Sequence, residues 1–264
     1  MAGKLGVYHD VDGCAFVGHD GRIVYRSTFY CRYNDAVSTP AVLDSLLRHG
    51  VLGKDVVSMF EVNFGEIRTP ADIVRLGEYA RFAPKIRASG KNIEKEALAE
   101  IERRATEKLS REAFYQSLRE AQLTPGLEYF ARWVKSKDGR QIIVTDDWDL
   151  VGSELAGRIG ADQVIGAAPV FENGRFTGKV YNIGQKKPIM DDILRLMGLT
   201  YENSIGIDDA NSVVTEFGLP IAFCPTNPEL RKHPGIVVVE EPHYRHVQTA
   251  AEKWFSEKKL THVT

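Results

Sequence analysis

A short apolar run, Leu5–His9, gives way to the polar cluster Asp10-Val11-Asp12-Gly13. A run of that length bounded by turn residues predicts a buried strand. In Phe16–Tyr25, Asp20-Gly21 separates two β-prone runs. Both residues tolerate positive φ, so the segment predicts a small hairpin flap beside the first strand. From about residue 36 to 121 the spacing becomes helical. Ser38-Thr39-Pro40 signals a helix start ahead of Val42, Leu43, Leu46 and Leu47, and Thr69-Pro70 signals another ahead of Ile73 and Leu76. Ile93, Ala97, Ile101 and Ala105 recur four apart. The stretch has almost no strand signal and predicts a helical insert.

Beyond Thr124 strand and helix signals alternate. Thr124-Pro125-Gly126 leads a helix through Trp133 that Gly139 ends, Gln141–Thr145 is an apolar strand, and a helix then runs to about Ile159. Glu172-Asn173-Gly174-Arg175 marks a second hairpin within Phe171–Tyr181. Pro188–Met197 is amphipathic, Ser204–Ile207 is a strand ending in Asp208-Asp209, Leu219–Phe223 and Ile236–Val239 are strands, and Tyr244–Lys258 is a closing helix. Such alternation predicts an α/β fold, a parallel sheet covered by helices on both faces. In open sheets of this kind ligands bind beyond the carboxyl ends of the strands. Asp10/Asp12, Thr145 and Asp208/Asp209 all fall at such ends.

Composition narrows the function classes. Among 264 residues the formal net charge is −2. That leaves no basic excess to draw nucleic acid or an anionic membrane, and neither is expected as a partner. Cys14, Cys31 and Cys224 form no metal-binding spacing, and so sparse a set fits a reducing compartment. No apolar run is long enough for a membrane helix, and the N-terminus does not read as a signal peptide. A soluble, cytoplasmic protein is expected; its oligomeric state is not legible.

The candidate chemistry lies in carboxylates. Asp10 and Asp12, two apart on an extended segment, can face one pocket. Their repulsion would be relieved by a cation such as Mg²⁺, which prefers oxygen ligands. One carboxylate could attack phosphorus while the other carries a proton; an Asx-rich turn would use the same residues. Asp208-Asp209 reads as one or two further metal carboxylates or as a helix N-cap. Thr145 could hydrogen-bond a phosphate oxygen or cap a helix. Lys186 and Lys187, ahead of Pro188, could neutralise phosphate charge or be solvated. His9 beside Asp10 reads as a strand-end residue.

In order, these segments resemble the four motifs of the haloacid dehalogenase (HAD) superfamily: Asp-x-Asp-Gly, a hydroxyl after a later strand, a lysine before a helix, and an acidic pair after another strand. The likeness is to its phosphoserine phosphatase-like branch, carried also by Thr124-Pro125-Gly126-Leu127, by Gly174–Val180 and by Gly218–Cys224. It covers about residues 5–14 and 124–231. The resemblance implies a Rossmann-like HAD core over residues 1–34 and 122–264, with a helical C1-type cap over 35–121.

It further implies Asp10 as the nucleophile of a Mg²⁺-dependent phosphatase and Asp12 as general acid and base, its carbonyl also binding Mg²⁺. Thr145 would hold a phosphate oxygen, with Asp146 and Asn211 also near substrate. Lys186 would stabilise charge around Asp10; Lys187 is its rival because it directly precedes Pro188, whereas the spacing to Gly198 favours Lys186. Asp208 would be a metal ligand, and Asp209 would compensate for Ser212, which stands where the family has an aspartate. Other departures are Cys14 for a hydroxyl residue, Asp146-Asp147 where glycines are frequent, and His19 where phosphoserine-specific members carry glutamate. The expected substrate is therefore a small phosphorylated metabolite, with phosphoserine itself not carried over. A catalytically impaired binding protein and a phosphotransferase using the same aspartyl-phosphate are the alternatives.

Overall fold

A seven-stranded sheet carries the molecule, in a computed structural model that describes residues 4–17, 23, 115, 118, 119 and 121–258. Its strands are β1 (Gly6–His9), β4 (Arg140–Trp148), β5 (Gln163–Glu172), β6 (Arg175–Tyr181), β7 (Ser204–Asp208), β8 (Leu219–Phe223) and β9 (Val237–Val239). They lie in the order β6-β5-β4-β1-β7-β8-β9. Every pairing from β5 through β9 is parallel. Two short strands, β2 (Phe16–Val17) and β3 (Gln122–Leu123), pair antiparallel beside it. The helices are α1 (Leu127–Ser136), α2 (Asp149–Ile159), α3 (Lys186–Met197) and α4 (Tyr244–Lys258). The chain divides into two compact units, one of residues 1–28, 121–168 and 180–264, the other of 29–120 and 169–179.

The central strand shows why the sheet must be covered on both sides. All four β1 residues are buried, and neighbours along a strand face opposite ways. Tyr8 packs with Ile142, Val144 and Leu199 and with Met190, Ile193 and Leu194 of α3. His9, pointing the other way, meets Phe130 of α1 and Tyr244 of α4. Helices therefore lie on both faces, as the alternating signals predicted. No helix among the described residues is long and apolar enough to cross a membrane.

Most elements fall where the hydrophobic pattern put them. Helix α3 begins at Lys186 and not Pro188; the proline sits in the first turn, where its missing N–H costs nothing. The connection between β5 and β6 is Asn173-Gly174, at φ 50° and 75°. Two positive values make it the hairpin turn that the Asn-Gly pair announced. The first part of β5, Gln163–Val170, carried no clear strand signal, because Gly166 and Pro169 interrupt it. Gly166 is there for close approach: a Cβ would lie 2.7 Å from the Asp149 nitrogen. Of the expected flap, Val17 forms an antiparallel bridge with Ile23; its Asp20-Gly21 turn and most of the helical insert lie outside the described residues. Of the insert, Tyr115, Leu118 and Arg119 are helical.

A glycine shapes the region next to the site. Gly206 of β7 is the register partner of Tyr8, and a Cβ there would stand 2.5 Å from the Phe217 ring. The ring fills the space the missing side chain leaves and stacks on Tyr8, centroids 5.4 Å apart. Gly206→Ala is expected to displace Phe217 and to destabilise the protein by about 1–3 kcal/mol, measured as a lower urea midpoint. An unchanged midpoint would show that the ring moves aside freely.

Candidate active site

Chain topology fixes where a site can form. From β1 the sheet grows outward through β4 on one side and β7 on the other. The carboxyl ends of these strands lie where the order reverses, the usual ligand position in such folds. Register then sets the residues. His9 pairs with Ile143 and Ile207, and the Asp10 amide donates to the Ile207 carbonyl at 3.0 Å. Asp10 thus emerges beside Asp208.

Lys186, the first residue of α3, ties these acids together. Its Nζ donates to Asp10 Oδ2 at 2.8 Å and Asp208 Oδ2 at 3.4 Å, and to the Tyr8 hydroxyl at 3.3 Å. The Tyr8 hydroxyl itself donates to Asp208 Oδ2 at 2.6 Å. The other Asp208 oxygen accepts from the Ala210 and Asn211 amides at 2.9 and 2.7 Å. Asp10 Oδ1 accepts from the Val11 amide at 2.8 Å. Both carboxylates are fixed by donors on each oxygen, and both are buried.

Asp209 completes the acidic set. Asp10, Asp208 and Asp209 each offer an oxygen within 4.8 Å of the others. Thr226 Oγ1 holds Asp209 Oδ2 at 2.8 Å. Gly13, at φ 68°, lies against this side chain; a Cβ there would be 2.4 Å from Asp209 Cγ. Only glycine suits both that backbone and that contact.

Charge is unbalanced in this cluster: among the described residues, three buried carboxylates stand with one buried ammonium, which pairs with two of them. Burial and the Asp208 charge raise the Asp10 pKa well above the carboxylate range, more than Lys186 offsets. The same two causes push Asp209 up to about 7. For Lys186, burial works against the charged form, but Asp10 and Asp208 overcome it and keep the ammonium protonated. Such a site calls for a proton or a cation. Its donors are oxygens, the set that hard divalent ions such as Mg²⁺ accept. The residues present therefore fit a metal.

The remaining candidates divide. Thr145 is buried and accepts the Asp147 amide at 3.1 Å, keeping its own proton to donate. It lies where four steps along β4 answer two along β5, between Val144 and Trp148. That bulge turns Asp146 outward, 69 % exposed, with Oδ2 3.8 Å from Lys186 Nζ. Asp147 turns inward and accepts the Trp148 amide at 2.7 Å. Asp12 is half-buried and close enough to raise both Asp10 and Asp209. The Asn211 side chain caps the short 3₁₀ helix Ser212–Glu216 through the Val213 amide, and only its backbone touches the cluster. Lys187, placed with the catalytic candidates on sequence, does not join them. One position along the helix turns its ammonium to the surface, where it pairs with Asp191 at 3.2 Å and Glu216 at 3.8 Å. The sequence reading missed Tyr8 and Thr226. Tyr8 was discoverable: it stands two before Asp10 on the same face of the strand, the one hydroxyl in an apolar run.

The family model for haloacid dehalogenase-like hydrolases matches residues 58–214, and the chain belongs to that family. The matched span includes Thr145, Lys186 and Asp208; Asp10 and Asp12 precede it. A phosphoserine phosphatase of Archaeoglobus fulgidus is 29 % identical over 108 residues, 38 % of this chain and 31 % of that protein. The chain thus matches about a third of this curated relative's length. Among solved structures, a phospho-aspartyl intermediate analogue of phosphoserine phosphatase superposes with TM-score 0.60 at 16 % identity, covering 94 % of this chain and 99 % of the other. A probable phosphoserine phosphatase from Vibrio cholerae gives 0.55 at 13 %, covering 96 % and 67 %. At these identities the likeness is one of fold.

His9 lies on the far side of β1 from Tyr8, packed edge-on to Phe130. Burial drives its pKa down to about 4. The unfolded chain therefore takes up this proton first, so the contribution is whole above about pH 6.5 and drains as pH falls toward 4. Wild-type protein is expected to lose about 2 kcal/mol more than His9→Leu between pH 7.5 and 5, read from urea unfolding. Parallel pH profiles for the two proteins would refute the assignment.

Proposed function

We propose that this protein is a Mg²⁺-dependent phosphatase that hydrolyses a small phosphomonoester through an aspartyl-phosphate on Asp10. The observation that carries the reading is the Lys186 ammonium held between the Asp10 and Asp208 carboxylates, with Asp209 in the same cluster. Asp10, Asp12, Asp208 and Asp209 are the proposed holders of the cation, Asp12 through its carbonyl. When bound, the ion offsets carboxylate charge and polarises a phosphoryl oxygen.

Asp10 Oδ2 is the attacking atom in this scheme. It forms a bond to phosphorus as the bond to the leaving oxygen breaks, and Asp12 gives that oxygen a proton. Asp12 then takes a proton from water, which attacks the same phosphorus and releases Asp10. Lys186 stabilises negative charge gathering between nucleophile and phosphoryl group. Thr145 donates its hydroxyl proton to a phosphoryl oxygen. The chemistry is mainly positioning and electrostatics. Family membership and relatives named as phosphoserine phosphatases support a small phosphorylated metabolite as substrate class. The expected setting is the cytoplasm, with residues 35–121 as a helical cap domain.

Phosphate release from an aryl phosphate, with and without Mg²⁺, tests the reading. Asp10→Asn is expected to lower kcat by roughly three orders of magnitude or more. Turnover that survives it removes Asp10 as nucleophile.

The two lysines give a second test. Lys186→Met is expected to cost about a hundred-fold or more in kcat, while Lys187→Ala stays within about two-fold of wild type, as exposed substitutions do. The reverse ranking would overturn the lysine assignment.

A further inference from the structure

Tyr8 has no part in the scheme above, yet its hydroxyl touches two members of the cluster. It donates to Asp208 Oδ2 at 2.6 Å and accepts from Lys186 Nζ at 3.3 Å. Among the described residues the Lys186 ammonium donates three hydrogen bonds, to Asp10, Asp208 and Tyr8, with Asp146 Oδ2 farther off at 3.8 Å. The phenol accepts one of the three. Without it the two remaining hydrogen bonds among the described residues both go to carboxylates that a cation would also engage.

The ring is held as firmly as the hydroxyl is placed. Tyr8 is fully buried. Phe217 stacks on it at an interplanar angle of 12°, occupying the space that Gly206 leaves open. Met190, Ile193 and Leu194 of α3 belong to the same apolar cluster. The helix that delivers Lys186 therefore packs around the ring that receives its ammonium. A buried hydroxyl held by rigid packing orients its partner far better than one on a mobile side chain.

We propose that Tyr8 is a positioning residue, whose hydroxyl fixes the Asp208 carboxylate and the Lys186 ammonium so that Asp208 presents its oxygens to a divalent cation. The inference rests on the phosphatase reading for its effect on turnover, but its effect on cation binding stands apart from it. With the O–H at Asp208 Oδ2 and two amides at Oδ1, the carboxylate plane is set from both ends before any ion arrives. With Phe at position 8 one end is released, and Oδ2 turns toward Lys186 alone.

The test is Tyr8→Phe in the full chain, which keeps the ring and its stack on Phe217 and removes one oxygen. Mg²⁺ affinity is read from the rise in melting temperature on titration with MgCl₂, and kcat and KM from aryl phosphate hydrolysis at saturating Mg²⁺. The expected result is Mg²⁺ binding about ten-fold weaker and kcat about ten-fold lower, with KM for the aryl phosphate little changed. A residue that serves packing alone would leave the Mg²⁺ curve and kcat in place, and that result overturns the proposal. Should Tyr8→Phe not fold, Phe217→Leu keeps the hydroxyl and removes the ring stacked on it. Weaker Mg²⁺ binding is again expected, and wild-type binding and turnover in that variant overturn the proposal. A wild-type protein that binds Mg²⁺ without hydrolysing phosphate esters sinks the phosphatase reading alone, and the binding curves still decide on Tyr8. A wild-type protein with no Mg²⁺ response sinks both.

Discussion

One buried ammonium among three buried carboxylates governs this structure. Removing any of these groups from water is costly unless a partner meets it. Lys186 meets Asp10 and Asp208 at once, which explains why a lysine at the first position of a helix is drawn inside. It still leaves negative charge in excess, so the site is built to receive something positive. The requirement reaches outward. The glycine at 13 exists to let a loop lie on Asp209, Thr226 crosses from the loop after β8 to hold that same carboxylate, and the bulge in β4 decides which of two adjacent acids faces the lysine.

The sheet order turns that local demand into a position in space. Strands β4, β1 and β7 are neighbours because the chain lays β4 to β6 on one side of β1 and then crosses back to lay β7 on the other. Their ends therefore bring a hydroxyl, a pair of acids and another pair to one end of the sheet. Thr145 and Asp208 lie within their strands, and Asp10 and Asp209 follow theirs immediately, so the rigid sheet limits how far they can wander. The helices on the two faces serve different ends. Those beside His9 bury an aromatic cluster, whereas the one beside Tyr8 also delivers the cation of the site.

Much of this was legible in the chain itself. Runs such as Ile142-Ile143-Val144 and Leu219–Phe223 are apolar enough to be buried on both faces, and the turn pair Asn173-Gly174 names its own geometry. Asp10, Thr145 and Asp208 could be placed because strand ends are where α/β sheets hold ligands. Other features were hidden for definable reasons. The start of β5 has a glycine and a proline in it, chosen for a close backbone contact and not for strand propensity. Whether Lys186 or Lys187 turns inward depends on a rotation of about 100° along a helix, which a residue list does not contain. Tyr8 escaped notice because an aromatic in a buried strand is ordinarily core, and its partner stands 200 residues away in the sequence.

That last separation has a consequence for biosynthesis. The middle strand of the sheet is translated before the two strands that flank it, which come much later. At ribosomal speeds of about 5–20 residues per second, the tyrosine waits roughly 10–40 s for the aspartate it will hold. Through that interval an apolar segment with open backbone groups on both edges is exposed to every other nascent chain nearby. The polar Asp10-Val11-Asp12-Gly13 that follows it ends the sticky stretch after a few residues. Asp10, which later meets the lysine, thus also helps, earlier, to close off the apolar stretch against wrong pairing.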